Sequence, residues 1–335
     1  MNRYSRQELF PGIGKEGQRK LRAANVAIVG CGALGSLQAE VLCRAGIGNI
    51  HIIDRDFVEH SNLQRQALFT EEDAKNLVPK AVAARNQLQR INQDVVVKSD
   101  ISDLSPDNID LLAEADLILD GTDNFSTRYV INDFAWKNKI PWIYGACVSS
   151  SGVACAFIPD SFPCLRCLFE NEPPPGAAPT CDTAGIIWPA VGTVVSYQIA
   201  AAFKILTGAE QVPEILQLDV WDNQYRTVSL EKAKRSNCAT CGLREFPSLT
   251  QSSGFDTSLC GRDAVQIKPA QKARLNLQEI YNRWSKAGDC MQNPFLVKLV
   301  LPENEIVLFP DGRAIIKGTV DISRARDLYA KYVGS

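Results

Sequence analysis

The sequence predicts an α/β fold in which helices cover both faces of a mostly parallel sheet, followed by a small α+β domain near the C-terminus. Two observations support this prediction. From residue 25 to residue 144, short apolar runs alternate with segments whose apolar side chains recur at helical spacing. Within residues 255–335, by contrast, three strand-like runs follow one another between two helical segments.

The first elements form a strand, helix, strand unit. Residues 25–29 are an apolar run that ends at glycines, residues 34–45 have a helical pattern, and residues 50–53 form a second apolar run. The alternation continues with a helix at 79–91, strands at 95–97 and 115–119, a helix near 127–137 and a strand at 141–144. Because helical connections join parallel strands, these segments predict one sheet with helices on both faces.

An apolar segment at residues 191–206 separates two further groups of strand-like residues, 152–158 and 214–230. The segment is shorter than the roughly 20 apolar residues of a membrane span, and Ser196, Gln198 and Lys204 interrupt it. We therefore expect a buried helix, with the flanking strands extending the same sheet.

The chain is predicted to have two domains, residues 1–250 and residues 255–335, joined by a polar linker at residues 251–254. The second domain is predicted to contain a strand at 265–267, a helix at 275–285, strands around 296–301, 306–309 and 314–317, and a final helix at 322–332. It has no cluster of titratable residues. Its role is therefore open between docking a partner, supporting a dimer and adding structure alone.

Composition places the chain among ordinary globular proteins. Hydrophobic residues make up 45% and charged residues 22% of its 335 residues. The formal net charge is −2, from 36 Lys and Arg against 38 Asp and Glu, so no basic field favours nucleic acid. The N-terminal residues lack the apolar stretch of a secretory signal. We expect a cytoplasmic protein that binds neither nucleic acid nor a membrane.

A glycine-rich turn follows the first predicted strand. Gly30, Gly32 and Gly35 form a GxGxxG pattern that opens a helix, and Asp54 ends the next strand 19 positions after Gly35. Glycines permit a tight turn near a phosphate, the helix N-terminus attracts anions, and the carboxylate can bind ribose hydroxyls. The pattern predicts a Rossmann-like nucleotide site, while a tight turn without a ligand remains the alternative.

Polar and cationic residues cluster after Asp54. Asp56, Asn62, Arg65 and Lys80 lie in one connection and the first turn of the following helix. Extra cations suit a triphosphate better than the pyrophosphate of NAD, which can rest on the helix N-terminus. The alternative for Arg65 and Lys80 is a solvated charged surface. The chain has only 2 His, so a histidine acid or base for hydride transfer is poorly supplied.

Two CxxC pairs are separated by a long stretch of chain, Cys164 with Cys167 and Cys238 with Cys241. With 11 Cys in the chain, roughly 0.4 such pairs are expected by chance. Four thiolates suit a tetrahedral structural Zn²⁺. The metal would then tie a loop to the end of the first domain, whereas a redox pair is the competing interpretation.

Several motifs occur together in a fixed order. They are Arg3-Tyr4-Ser5-Arg6-Gln7, the GCGALG turn at residues 30–35, Asp54-Arg55-Asp56, Ser61-Asn62-Leu63-Gln64-Arg65-Gln66, Pro79-Lys80 and Thr122-Asp123-Asn124. Over residues 1–245 this series resembles the bacterial MoeB/ThiF/HesA adenylyltransferases, which are related to the adenylation domains of ubiquitin-activating enzymes. The combination is far more specific than any one motif.

The resemblance implies an ATP-dependent enzyme with Mg²⁺ and Zn²⁺ as further cofactors. Its substrate would be the C-terminal Gly-Gly carboxylate of a ubiquitin-like sulfur-carrier protein, in the thiamine thiazole or the molybdopterin pathway, and its products acyl-adenylate and pyrophosphate. A C-terminal carboxylate has a pKa of about 3.5 and is ionised at neutral pH, so the reaction needs alignment and cations rather than a general base.

The resemblance also implies individual roles. Asp54 would hold the ribose, while Asn62, Arg65 and Lys80 would contact phosphates. Asp123 would organise Mg²⁺, although a helix N-cap before Phe125 is the alternative for this residue. Arg6 would reach the site of a partner subunit as an arginine finger, which would make a homodimer obligatory.

Cys181 precedes Asp182-Thr183-Ala184-Gly185 in a segment rich in Pro, Gly and Ala. We expect a crossover loop leading to a helix, whose N-terminus could lower the pKa of the thiol. The matching cysteine takes an acyl group or a sulfur in parts of the resembling family and is dispensable in others, so its role stays open. The remaining cysteines in apolar settings are predicted to be small core residues: Cys31, Cys43, Cys147 and Cys155.

Two other classes of function are consistent with the residues alone. One is an NAD(P)-dependent oxidoreductase built on the same fold, and the other is a non-catalytic nucleotide-binding scaffold with a zinc clip. Only an adenylyltransferase predicts exchange of pyrophosphate into ATP that depends on a carrier protein.

Overall fold

The structure is a computed structural model that describes residues 2–173, 180–250, 256–259, 263–269 and 274–334. The chain divides into two compact units, Met1–Pro174 with Ala184–Ser252, and Pro175–Thr183 with Ser253–Ser335. Each unit has its own sheet and apolar core. The linker predicted at residues 251–254 lies outside the described residues.

The first unit is built on an eight-stranded sheet. Its strands are β1 (Asn25–Val29), β2 (Asn49–Ile53), β3 (Val96–Asp100), β4 (Leu117–Asp120), β5 (Trp142–Val148), β6 (Ser151–Phe157), β7 (Glu214–Asp219) and β8 (Gln224–Ser229). Across the sheet the order is β3-β2-β1-β4-β5-β6-β7-β8, parallel from β3 to β5 and antiparallel beyond. The predicted α/β class is confirmed, and the later strands extend the sheet as expected.

Helices pack on both faces of this sheet. The helices of the first unit are α1 (Ser5–Glu8), α2 (Gly14–Ala23), α3 (Ala33–Ala45), α4 (Glu71–Lys75), α5 (Lys80–Ile91), α6 (Phe125–Asn138), α7 (Leu165–Leu168) and α9 (Trp188–Thr207) among the described residues, whereas three of the four residues of α8 (Cys181–Ala184) belong to the second unit. Along β1, Ile28 packs in the core beneath α3, α5 and α9, whereas Val29 packs in the core beneath α6. This alternation is the geometry of a strand buried on both faces.

By length and composition, α9 is the helix of the described chain that could cross a membrane. Its apolar side chains instead join the core of the first unit, where Val191, Val194 and Ile199 are buried. Trp188 and Ser196 lie on the exposed side. The buried helix predicted from the sequence is therefore present, with one face on the sheet.

Among the residues described from 256 onward, the second unit has a six-stranded antiparallel sheet and two helices. The elements are β9 (Asp256–Leu259), β10 (Ala264–Ile267), α10 (Leu277–Trp284), β11 (Asp289–Gln292), β12 (Val297–Val300), β13 (Glu305–Leu308), β14 (Ala314–Lys317) and α11 (Ile322–Tyr332). The strand order is β11-β12-β13-β14-β10-β9, and Trp284 and Ala325 from the helices pack on the sheet. The edge strands β9 and β11 were not predicted.

Candidate functional site

The glycine turn joins β1 to α3. Gly30 has a φ of +84°, and a Cβ built on Gly35 would lie 1.9 Å from the carbonyl oxygen of Gly30, so the turn tolerates no side chain there. A Cβ on Gly32, by contrast, would meet only the Nε2 atom of Gln66, at 3.9 Å. No side chain caps the start of α3. The amide groups of this helix N-terminus therefore border open space, which suits a phosphate.

Asp54 links the end of β2 to this turn. One carboxylate oxygen accepts a hydrogen bond from the backbone N–H of Cys31 at 2.5 Å, and the other accepts from the N–H of Asp56 at 2.7 Å. Burial raises the pKa of Asp54, whereas the nearby charge of Lys80 and the two N–H donors act in the opposite direction. The carboxylate is thus fixed beside the glycine turn.

Lys80 lies at the first position of α5 and is almost completely buried, with 3% of its surface exposed. Its Nζ atom donates to Asp56 Oδ2 at 3.3 Å, and its backbone N–H donates to the carbonyl of Asp56 at 2.9 Å. A solvated charged surface is therefore the wrong interpretation for Lys80. A cation held in a site with little water interacts strongly with an anionic ligand.

The segment between β2 and α5 carries three further polar side chains. Asn62 is buried, and its Oδ1 atom accepts from the N–H of Glu59 at 3.2 Å. Arg65 is half-buried and donates to the carbonyl of Ser61 at 2.8 Å. Gln66 is buried, and its Oε1 atom lacks a hydrogen-bond partner among the described residues. The Nε2 atom of the same side chain is the atom nearest to a Cβ built on Gly32, so Gln66 lies beside the glycine turn.

Asp123 lies in the turn between β4 and α6 and is exposed. The N-cap of α6 is Asn124, whose side chain accepts from the N–H of Thr127 at 2.9 Å. The alternative in which Asp123 caps the helix is therefore wrong. Asn124 performs that function, and Asp123 projects from the turn that precedes it.

A buried ion pair supports this turn and was missed by the sequence analysis. Asp120 Oδ2 accepts from Arg128 Nε at 2.8 Å, and Asp120 Oδ1 accepts from the N–H of Thr122 at 2.8 Å. Arg128 also donates to the carbonyl of Thr122 at 2.8 Å. Burial opposes the charge of Arg128, but the pKa of its guanidinium is raised overall because Asp120 lies against it. The pair fixes the backbone next to Asp123.

The sheet topology explains why these groups meet. The glycine turn follows β1, Asp54 and Asp56 follow β2, and Asp123 follows β4, and the three strands are parallel neighbours. Their carboxyl ends therefore share one edge of the sheet, where ligands bind in open α/β folds. The structure joins the glycine turn, Asp54, Asp56 and Lys80 by direct contacts, and Asn62 and Arg65 lie in the same connection.

Arg6 is exposed on α1, at the other end of the helices that form the site. Gln7 donates to the carbonyl of Ala45 at 3.0 Å, and Asn92 donates to the hydroxyl of Tyr4 at 2.9 Å. These contacts fasten α1 to the C-terminal ends of α3 and α5. The glycine turn lies at the N-terminus of α3, about 18 Å along a helix of this length. An extended arginine side chain does not span that distance.

The two CxxC pairs form one cluster. The Sγ atoms of Cys164 and Cys238 are 3.4 Å apart, those of Cys167 and Cys241 are 3.3 Å apart, and all four lie within 4.8 Å of one another. A tetrahedral ion with metal–sulfur bonds of about 2.3 Å places its sulfurs about 3.8 Å apart. The short contacts join one pair to the other, which fits a four-thiolate metal site better than two separate redox pairs.

Five further cysteines were singled out from the sequence. Cys31, Cys43, Cys147 and Cys155 are buried, as predicted, and burial raises the pKa of Cys43 to about 11 and of Cys155 to about 12. Cys181 is half-buried at the start of α8, a helix of only four residues. The predicted loop before it falls largely on residues 174–179, which lie outside the described residues.

Comparisons with known proteins agree on one family. The profile of the ThiF family matches residues 4–240. The chain is 45% identical over 335 residues to the sulfur carrier protein ThiS adenylyltransferase of Bacillus subtilis (strain 168), covering 99% of both proteins. It is 36% identical over 250 residues to the sulfur carrier protein adenylyltransferase of Thermus thermophilus, covering 72% of this chain and 91% of that one.

The fold is shared with a solved structure of low sequence identity. The crystal structure of Escherichia coli MccB with MccA-N7isoASN superposes with a TM-score of 0.63 at 22% identity. The match covers 72% of this chain and 74% of that one.

Proposed function

The chain belongs to the ThiF family, and we propose that it is an ATP-dependent adenylyltransferase that activates a ubiquitin-like sulfur-carrier protein. The carrier's C-terminal Gly-Gly carboxylate attacks the α-phosphorus of ATP. A bond forms between a carboxylate oxygen and the α-phosphorus, the bond from the α-phosphorus to the oxygen that bridges to the β-phosphorus breaks, and pyrophosphate leaves with the electron pair on that oxygen. The observation that carries this proposal is a buried, ion-paired Lys80 beside an uncapped glycine turn.

In this proposal the charge that develops on pyrophosphate is met by fixed donors. Lys80, Arg65 and Asn62 contact the phosphates together with the amide groups at the start of α3. Lys80 is held by Asp56 and excluded from water, so its charge is oriented before the reaction begins. Such preorganised groups stabilise a transition state more than mobile ones in water. Asp54, fixed beside the turn, holds the ribose.

Asp123 is proposed to hold Mg²⁺ from the turn after β4. The ion would neutralise phosphate charge when it is bound. The Asp120–Arg128 pair holds the backbone of Thr122, the residue directly before Asp123, through two hydrogen bonds. A fixed carboxylate is needed because a displacement of about 1 Å can cost a hundredfold in rate.

We also propose a homodimer in which Arg6 completes the site of the partner subunit. The support is the anchoring of α1 at the far ends of α3 and α5, from which Arg6 does not reach the glycine turn of its own chain. An exposed arginine on a firmly attached helix is well suited to enter a neighbouring site, where its charge would stabilise the departing pyrophosphate.

The thiolates of Cys164, Cys167, Cys238 and Cys241 are proposed to bind a structural zinc ion. The zinc would cross-link two segments that are distant in sequence and would contribute directly to folding. Cys181 is proposed as an acceptor of the activated acyl group: its thiolate attacks the acyl carbon of the acyl-adenylate, a thioester forms and AMP leaves. The carrier of the thiazole pathway is favoured over that of the molybdopterin pathway, because the full-length similarity is to a ThiS adenylyltransferase. We place the reaction in the cytoplasm.

Neither alternative function has comparable support. His51, one of the two histidines, pairs with Asp100 at 2.6 Å between β2 and β3, so it is committed to the sheet rather than to hydride transfer. The proposed function is tested by carrier-dependent exchange of pyrophosphate into ATP. An oxidoreductase would reduce or oxidise NAD(P) without exchange, and a scaffold would bind nucleotide without exchange.

Removal of the residues after Leu249 should leave the zinc content and ATP binding largely intact. The Thermus thermophilus relative supports this expectation, because 91% of its length aligns with only 72% of this chain. We expect the truncated chain to lose at most a few kcal/mol of carrier affinity or dimerisation energy, as for a peripheral interface.

Metal analysis, calorimetric titration with ATP and the Michaelis constant for the carrier measure these effects. An unchanged dimer with an unchanged Michaelis constant would assign the second unit a structural role. Loss of ATP binding would show that the nucleotide-binding domain extends beyond Leu249.

A further inference from the structure

Two buried polar residues of α6 have no role in the proposed chemistry. Asn132 and Asp133 are completely buried, with 0% of either residue exposed. Burying a carboxylate is costly unless hydrogen bonds and charges compensate it, so such a residue needs a reason to be there. Both side chains form hydrogen bonds, and the partners of these bonds lie in the two CxxC segments.

Asp133 contacts the inner residues of both pairs. Its Oδ1 atom accepts from the hydroxyl of Thr240 at 2.5 Å, and Thr240 lies between Cys238 and Cys241. Its carboxylate also lies 3.4 Å from the guanidinium of Arg166, which lies between Cys164 and Cys167. The N–H of Ser248 donates to Oδ2 at 2.8 Å.

Asn132 makes a second connection to the same two segments. Its Oδ1 atom accepts from the N–H of Leu165 at 2.9 Å, and Leu165 follows Cys164 directly. Its Nδ2 atom is 3.4 Å from the hydroxyl of Thr240 and 3.2 Å from Asp133 Oδ1. Adjacent residues on one helix therefore hold the inner residues of both CxxC pairs without touching a sulfur.

This arrangement solves a geometric problem. The paired sulfurs are 74 residues apart in sequence, so bringing them together costs loop entropy and leaves their relative position undefined. A helix that is part of the core offers a rigid reference for both segments. Groups that orient the ligands of a metal site without binding the metal commonly change its affinity by about 10-fold to 100-fold when they are mutated.

We propose that Asn132 and Asp133 are positioning residues that hold the two CxxC turns in ligand geometry, so that the four thiolates are preorganised for zinc. This inference rests on the zinc site of the proposed function. It predicts that residues which are not zinc ligands control the rate at which zinc leaves the protein.

The test is the rate of zinc release from the purified full-length protein into an excess of a chelating dye. Asp133→Asn removes the charge that pairs with Arg166, and Thr240→Val removes the hydroxyl while keeping the shape of the side chain. Both variants should release zinc at least about tenfold faster than the wild type. Thr240→Ser keeps the hydroxyl and should release zinc at the wild-type rate.

Two further variants calibrate the measurement. Cys241→Ser removes a ligand and sets the release expected of a broken site. Ile131→Val alters a buried apolar side chain of the same helix without removing a hydrogen bond. Ile131→Val should lower the stability of the protein to urea but leave zinc release near the wild-type rate.

The possible results are distinct. Wild-type release rates in both Asp133→Asn and Thr240→Val would overturn the inference and leave the zinc site standing. The inference would also be overturned if Ile131→Val accelerated zinc release as much as those two variants do at an equal loss of stability. A wild-type protein that contains no zinc would overturn the zinc site itself. If Asp133→Asn does not fold, the comparison of Thr240→Val with Thr240→Ser decides the question.

Discussion

Replacing Lys80 by alanine should lower the rate of carrier-dependent pyrophosphate exchange by about a hundredfold. Lys80 is the most deeply buried cation of the site, and its ammonium group is fixed by Asp56. Loss of a fixed charge in a site with little water removes stabilisation from the departing pyrophosphate. Arg65→Ala should have an effect of similar size if this half-buried guanidinium meets the same charge.

The exchange rate is measured at saturating ATP and carrier, and thermal unfolding shows whether Asp56, left without Lys80, destabilises the fold. Lys75→Ala is the matched control, because Lys75 is an exposed lysine at the end of the nearby helix α4. It should exchange normally. Near-normal exchange in folded Lys80→Ala and Arg65→Ala would show that neither side chain stabilises the reaction.

A mixture of Arg6→Ala and Asp123→Ala chains should recover activity that neither variant has alone. If Arg6 acts in the partner's site, a heterodimer combines the intact Asp123 of one chain with the intact Arg6 of the other at one of its two sites. After free exchange of subunits, about a quarter of the wild-type activity is expected, because half of the dimers carry one active site each.

The double variant Arg6→Ala, Asp123→Ala is the matched control. In a heterodimer with the wild type, one site lacks Arg6 and the other lacks Asp123, so an excess of the double variant should abolish the wild-type activity. If Arg6 acted within its own chain, the wild-type subunit would stay active and the first mixture would stay inactive. Subunit exchange is verified with differently tagged chains.

Local patterns were sufficient to predict most of the fold. The inner parallel strands of the first unit are mainly apolar runs, since both faces are buried, and the helices between them have clear periodicity. The parallel edge strand β3 is the exception, because Val96–Asp100 contains exposed and charged residues. Strand β11 was missed because Asp289–Gln292 is a mostly exposed edge strand, and its four residues lack an alternating apolar pattern. Such a strand is defined by its pairing with β12, which the local sequence does not encode.

The sequence predicted those parts of the candidate site that are marked by a fixed spacing of residues along the chain. The glycine turn and the two CxxC pairs are of this kind. Arg128 was missed because a charged residue in a predicted helix resembles an exposed one, and only its approach to Asp120 explains its burial. Asn132 and Asp133 were missed for the same reason, since their partners lie on segments distant in sequence.

The most direct test of the proposed function is pyrophosphate exchange by the wild-type protein with a ThiS-type carrier. Radiolabelled pyrophosphate should enter ATP only when Mg²⁺ and a carrier with an intact C-terminal Gly-Gly are both present. A carrier that lacks its last glycine is the control, because it is expected to fold alike but presents its carboxylate one residue short of the α-phosphate. Exchange that depends on the intact carrier is the result we predict. Nucleotide binding without exchange, across carriers of both the thiazole and the molybdopterin type, would contradict the assignment as an adenylyltransferase.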